Sequence, residues 1–324
     1  MAFTHRSIGL EDLEYCASNL REAFAYDTAR RKRLLALWRE LVSSDSWITV
    51  AIEDRRLPPR QRLVGFGMSV FVNDAFAARA RKGLPLISRA FLEDWEKGNR
   101  PFLVKKEVAA ANSGAGLNLL VLHYGWDEKK IAPEDMPKVQ LKQTERFIEQ
   151  HAGYNVKEYF QEVHGAYLRD FVLRAGSVLR HGYGEKKWKA ELADVTKKDW
   201  PYLTGFRPEE ALAQAGTAAS IFQSKILPER FHLAPAEQEM LNLALLGKTD
   251  EELARTLGLS HWTVKKRWQS VYHKVKKADP DLLVSSSVKE KKDIGRNRQR
   301  RRYLLDYLRN HPEEIRPRST KTRH

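Results

Sequence analysis

Residues 233–275 read LAPAEQEMLNLALLGKTDEELARTLGLSHWTVKKRWQSVYHKV, and no other stretch restricts the fold so tightly. Met240, Leu241, Leu243, Ala244 and Leu245 supply an apolar helix. Gly247 can end it, because glycine enters the left-handed conformation without a steric penalty. Thr249 then caps a second helix, with Glu252 at capping-box spacing. Leu253, Ala254 and Leu257 form its buried face, Gly258 ends it, and Ser260 caps a third helix. The few residues between the second and third helices are helix-turn-helix spacing. The third helix turns Lys265, Lys266, Arg267 and Lys274 outward and Val264, Val271 and Val275 inward. A short cationic helix on a compact apolar support suits the major groove of DNA.

The charge distribution points the same way. The chain carries 57 Lys and Arg against 42 Asp and Glu, a net +15, and residues 260–324 hold 19 against 7, or +12 of it. The excess starts in the third helix and runs through Arg296, Arg298, Arg300, Arg301 and Arg302. Such a basic face seeks a polyanion, and beside a helix-turn-helix it implies phosphate contact.

The stretch resembles the LuxR-type (FixJ or NarL type) helix-turn-helix module of transcription regulators. The pattern runs without gaps through Leu233, Pro235, Glu237, Glu239, Leu241, Gly247, Glu252-Leu253-Ala254, Leu257-Gly258-Leu259-Ser260, Thr263-Val264-Lys265 and Tyr272. Ala234 departs from the usual Thr or Ser cap, at an expected cost of about 1 kcal/mol, and Trp262 and Trp268 are bulky for this helix. The resemblance implies double-stranded DNA as partner. Lys265, Lys266 and Gln269 are the candidates for base edges. Ser260, Thr263, Arg267 and Lys274, with Arg298, Arg300 and Arg301 of the tail, are the candidates for phosphates. The family's modules pair on half-sites about one helical turn (~34 Å) apart, so a homodimer is an expectation. A fourth helix over 298–310, with Leu304, Leu305 and Leu308 as an apolar stripe, matches the family's dimer helix.

A length of 324 residues leaves room for a second, larger domain. Cys16 is the only cysteine, which rules out an intrachain disulfide and Cys-rich metal sites and favours a reducing compartment. The N-terminus has no signal-peptide pattern, and the longest apolar runs are far short of a membrane span, so the expectation is a cytoplasmic protein with no membrane partner.

The larger domain reads as strand 3–8, helices 10–24 and 28–42, strands 47–52 and 63–72, and a helical insertion over 74–106. Strand 117–124, helix 139–151, strand 154–163, helix 166–174 and strand 178–183 follow. Gly65 and Gly67 inside a strand mark a bulge or a close backbone approach. Trp38, Trp47, Trp95 and Trp126 read as core and interface anchors. Residues 184–203 read as a charged connection and 208–225 as an Ala-rich helix, a linker or dimer contact.

This order resembles the GNAT-type N-acetyltransferase fold over residues 1–185, with Ile8, Glu11-Asp12-Leu13, Leu20-Arg21, Ala23-Phe24 and Leu63-Val64-Gly65-Phe66 at similar positions. The fold class expected is therefore α/β, a mixed sheet with flanking helices, followed by an all-α C-terminal domain. The family holds the acetyl-CoA pyrophosphate on a glycine-rich loop at a helix N-terminus. Residues 125–133 have no paired glycines there, and Asp127, Glu128, Glu134 and Asp135 would repel a phosphate. Val172 stands where the family has a tyrosine that protonates the leaving thiolate. Both departures speak against acetyl-CoA as a cofactor. Glu162 and His164 alternate on a strand and so can face one cavity as acid and base, although such residues at strand ends are more often solvated. His-x-x-x-His, P-loop and Gly-x-Ser-x-Gly patterns are absent.

The sequence thus predicts a DNA-binding transcription regulator. Residues 1–185 are a non-catalytic sensor or interaction domain for a small ligand or a protein, 186–229 a helical linker, and 230–318 the DNA-binding domain. The alternatives are an active GNAT-type acyltransferase carrying a DNA-binding module, and a degenerate helix-turn-helix that binds protein.

Overall fold

The computed structural model describes residues 2–20, 24, 26–42, 44, 46–183, 188, 190, 192–193, 195–213, 228–283 and 293–318. The backbone divides into two compact units, Met1–Ser224 with Arg318–His324, and Lys225–Pro317.

The first unit is a mixed α/β sheet with flanking helices. Its strands are β1 (Phe3–Arg6), β2 (Trp47–Asp54), β3 (Leu63–Val72), β4 (Leu117–Trp126), β5 (Val156–His164), β6 (Val178–Gly182) and β7 (Pro201–Phe206), in the order β1-β2-β3-β4-β5-β7-β6. All neighbours are antiparallel except β4 and β5. That parallel pairing runs from Leu117 with Val156 to Val121 with Gln161. From there β4 stays with β3 up to Trp126 and β5 stays with β7, so the two strands part in mid-sheet.

The helices are α1 (Leu13–Ser18), α2 (Thr28–Val42), α3 (Asp74–Arg81), α4 (Ile87–Glu96), α5 (Lys105–Ser113), α6 (Met136–His151), α7 (Ala166–Arg174) and α8 (Pro208–Ala213). The main core joins Leu13, Trp38, Phe76 and Phe91 of the first four helices to Phe66, Val70, Leu120 and Phe160 of the sheet. Phe71, Leu119 and Tyr159 pack in a second cluster with Phe147 and Ile148 of α6. Gly67 serves close approach: a Cβ there would stand 2.8 Å from Gln143 Nε2 of α6 and 3.2 Å from Val50.

The observed order matches the expected one as far as β6, with local differences. The helix expected over 10–24 is a 3-10 turn, Leu10–Asp12, followed by α1 alone; Arg21 and Ala23 lie outside the described residues. Helix α6 starts at Met136 instead of 139, because Pro137 is tolerated in a first turn. The larger correction is β7. Residues expected to be a connection supply the strand that joins β5 to β6. Proline is allowed as a strand's first residue, and Gly205 is required because a Cβ would meet the Tyr159 carbonyl at 2.0 Å.

In the second unit the helices are α9 (Pro235–Leu245), α10 (Asp250–Leu257), α11 (His261–Ala278) and α12 (Asp293–Asn310). Its core gathers Met240, Leu241, Leu253, Val264, Val271 and Val275. Gly247 and Gly258 have φ of +83° and +63°, the left-handed stops expected of them. Residues 214–225 of the expected Ala-rich helix lie outside the described residues. Among the described residues no helix is long and apolar enough to cross a membrane. Nor does any group of three or more His, Cys, Asp or Glu among them form a metal site.

Candidate functional site

The N-terminal caps of α10 and α11 are built as the sequence dictates. Thr249 Oγ1 accepts from Glu252 N at 3.2 Å and Glu252 Oε2 from Thr249 N at 2.7 Å. Ser260 Oγ accepts from Thr263 N at 3.1 Å and shares a bond with Thr263 Oγ1 at 2.9 Å. Ser260 and Thr263 are therefore engaged as caps. Val264, Trp268, Val271 and Val275 are buried on one side of α11, while Trp262, Lys265, Lys266 and Gln269 are exposed. Lys266 Nζ lies 3.7 Å from the centre of the Trp262 ring, and that indole is 62% exposed.

The other candidate cations differ from one another. Arg267 Nη1 donates to the Ala236 carbonyl at 3.3 Å. Lys274 Nζ is 2.6 Å from Glu237 Oε2 and 3.3 Å from the His232 carbonyl. Arg301 donates to Asp250 Oδ1 at 2.7 Å and to the Lys248 carbonyl at 2.9 Å, and lies 4.6 Å over the Trp268 ring. These three brace the unit internally. Arg300 is half-buried on α12, and the Arg298 side chain lies outside the described residues. Trp268, bulky in the sequence, is a core residue whose indole N–H donates to Asp250 at 3.2 Å.

Two expectations are corrected in this unit. Leu304 and Leu308 of α12 are buried in the unit's own core, so they do not form a free stripe for a second copy. Ala234 has no capping side chain, yet Glu237 Oε2 accepts from its N–H at 2.7 Å. Glu237 also takes Lys274 and Ser270 Oγ, each at 2.6 Å. Burial opposes ionisation of Glu237, but these bonds outweigh it and hold the carboxyl below its ordinary range. The Glu237 side chain is thus fixed at the start of α9 by tertiary bonds, while its own N–H donates to the Ala234 carbonyl at 2.8 Å.

In the α/β unit, a cavity of about 370 Å³ lies against β3, β4 and β5 and is walled by α6 and α7. Phe147, Leu168, Val172, Tyr124, Tyr159 and Gln161 line it. Tyr159 donates its hydroxyl proton to Gln161 Oε1. Val172 occupies the wall where the family resemblance would place a tyrosine. Trp126, read as a core anchor, also lines the cavity, with its indole N–H on Gln143 Oε1 at 2.9 Å. The alternation Tyr159, Gln161, Val163 on β5 was the available sequence signal for this wall.

The loop before α6 is occupied by its own charges. Asp135, at the helix N-cap, is 2.6 Å from Lys138 Nζ and 2.7 Å from Arg56 Nη2. Those two cations hold its carboxyl below the usual range. Asp127 accepts from the Tyr15 hydroxyl at 2.7 Å and pairs with Lys130 at 3.3 Å. A carboxylate therefore sits where an anion would be held, and Pro137 lacks a donor.

Glu162 and His164, expected at a solvated strand end, are buried. Glu162 Oε2 accepts from Ile87 N at 2.7 Å, and Glu162 Oε1 lies 3.2 Å from His164 Nε2. The β5 face that carries them, with Phe160, is covered by the main core, in which Ile87 of α4 takes part. His123 is buried too: the Trp38 indole donates to Nδ1 at 3.3 Å, so Nε2 carries the proton toward the Tyr26 hydroxyl at 3.0 Å. Burial pushes His123 down to about 3, and it stays neutral.

No protein-family model matches the chain, and no curated protein matches it. Solved structures do resemble it. The C-terminal condensation domain of Ebony in complex with beta-alanyl-dopamine has a TM-score of 0.39 and 13% identity, covering 63% of this chain and 98% of that one. FeeM, an N-acyl amino acid synthase from uncultured soil microbes, has 0.36 and 11%, covering 65% and 93%. Arabidopsis thaliana NAA60 in complex with acetyl-CoA has 0.36 and 13%, covering 63% and 98%. At these scores the likeness establishes no family, and the description of the α/β unit rests on its own strand order. Nothing in the comparisons supports the DNA-binding, transcription-regulator or dimer expectations.

Proposed function

We propose that this chain is a sequence-specific DNA-binding regulator, in which α11 enters the major groove and the GNAT-like α/β unit is non-catalytic and binds a small ligand or a protein. The observation that carries the reading is the two-sided α11. Four buried side chains fix the helix on its support, and Lys265, Lys266 and Gln269 stand exposed on another side, beside the double cap at Ser260. Lys265 and Lys266 are suited to guanine O6 and N7, and Gln269 to adenine. Arg267, Lys274 and Arg301, engaged within the unit, act by bracing it and reach phosphates only by exchanging those bonds. Binding-site selection from a random duplex pool tests the reading: a recovered consensus supports it, and a pool without enrichment refutes it.

The second reading is acyl transfer, which has a counterpart in the name of FeeM as an N-acyl amino acid synthase. In this chain it is favoured by the cavity where β4 and β5 part, with the phenols of Tyr124 and Tyr159 in its lining. The occupied N-terminus of α6 opposes it. Calorimetric titration with acetyl-CoA separates the two readings, because micromolar binding with thiol release would establish acyl transfer and remove the non-catalytic assignment.

A further inference from the structure

Helix α7 is amphipathic, yet none of its nine residues is buried. Its Leu168, Phe171 and Val172 line the cavity, and Leu168 also packs against the main core. Phe171 and Leu141 of α6, both in the lining, are 41% and 59% exposed. Apolar surface left to water is unfavourable in proportion to its area. Apolar surface gathered in a concave site, within the ordinary size range of ligand cavities, marks a binding site.

The lining also defines the occupant. It contains no Asp, Glu, Lys or Arg among the described residues. Its imidazole, His151, is already engaged, with Nδ1 at the Phe147 carbonyl at 2.6 Å and Nε2 at the Ser69 hydroxyl at 2.8 Å. Burial pushes the Tyr159 phenol up, which keeps it neutral. An ionised ligand would lose its hydration with no countercharge to replace it. Among the polar side chains of the lining, which also include Gln140, Gln143, Thr144, Gln150 and Ser177, Gln161 is the one beside the phenol: Tyr159 donates to its Oε1, which leaves the amide N–H₂ as a donor on the wall.

We propose that this cavity binds an uncharged, largely apolar small molecule with one hydrogen-bond acceptor, its body between α6 and α7 and its acceptor at Gln161. The proposal rests on the ligand-binding reading of the α/β unit and is independent of DNA binding.

The test titrates the full chain with N-phenyl-1-naphthylamine, an uncharged fluorophore that brightens on burial, and displaces it with decanamide, decanoate or acetyl-CoA. Saturable one-to-one binding is expected, with decanamide displacing the probe at concentrations about tenfold below those needed for decanoate or acetyl-CoA. Val172→Trp fills the cavity and should weaken the probe about tenfold. Ala175→Phe serves the same purpose if the first variant loses its near-ultraviolet circular dichroism. Gln161→Leu should keep the probe and weaken decanamide roughly three- to tenfold. Non-saturable fluorescence, equal displacement by the charged competitors, or parent-like binding by both filled variants each overturns the proposal. A gel shift on the same samples keeps the claims apart: lost DNA binding with intact probe binding counts against the regulator alone, and the reverse against the cavity alone.

Discussion

At the scale of single residues, the cations of the second unit do different work although the sequence writes them alike. Lys265 and Lys266 are exposed, whereas Arg301 is tied to Asp250, Lys248 and the Trp268 ring. Lys265→Ala and Lys266→Ala should each lower specific DNA affinity by about 1–3 kcal/mol and leave the melting temperature in place. Arg301→Ala should show the opposite pattern, losing about 1–2 kcal/mol of stability through a lost stacking contact and a half-buried ion pair. Fluorescence anisotropy at several salt concentrations, paired with urea unfolding, distinguishes the two classes; equal behaviour of all three variants would remove the distinction. Glu237 sets a pH limit. Its folded-state pKa lies below the ordinary 4.5, so its contribution is present above about pH 4.5 and is lost as pH falls through the lower folded value. Glu237→Gln should flatten that acid limb of the stability curve and cost about 1–2 kcal/mol at neutral pH, because Lys274 loses its partner. The sequence showed which positions are cationic. It did not show that Asp250, Glu237 and the Ala236 carbonyl would claim three of them, since those partners lie 31 to 51 positions away along the chain.

At the scale of elements, periodicity and caps were enough where an element is stabilised locally. Helices α10 and α11 are capped by Thr249 and Ser260 as written, because the capping oxygens are only three residues from the N–H groups they accept from. Strand β7 was not legible. It opens with proline and holds a glycine, and its place between β5 and β6 is decided by pairing with residues far away in sequence. The burial of Glu162 and His164 comes instead from the core packed over the Phe160 face of β5, also through contacts distant in sequence. Helix α7 is the converse case: its pattern predicts an amphipathic helix correctly, but part of its apolar side faces the cavity and none of its residues is fully buried. A helix with no buried residue opens at low free energy. Amide exchange should therefore be faster along α7 than along α4, whose Phe91 and Leu92 are buried. Addition of N-phenyl-1-naphthylamine should slow α7 selectively. Uniform protection of both helices without the probe would contradict this account of the cavity.

At the scale of the whole molecule, each unit owns a separate apolar core, one around Trp38 and Phe66 and the other around Leu241 and Val271. Separate cores unfold as separate cooperative systems unless a large apolar interface couples them. Calorimetry at neutral pH should accordingly resolve two transitions. A ligand that binds only a folded state stabilises that state by RT ln(1 + [L]/Kd), about 2.7 kcal/mol at one hundred times Kd. The uncharged probe should therefore raise the transition of the α/β unit and leave the other in place, while a selected DNA duplex should raise only the transition of the helical unit. Acidification should weaken both units, because lowered carboxyls such as Asp12, Asp54 and Asp135 stand in the α/β unit and Glu237 in the helical one, but Glu237→Gln should change the acid response of the helical transition alone. A single transition moved equally by probe and duplex would mean that the two sites are energetically coupled. The regulator reading would then acquire a route from ligand to DNA, with the coupling free energy given by the affinity ratio measured with and without the other ligand.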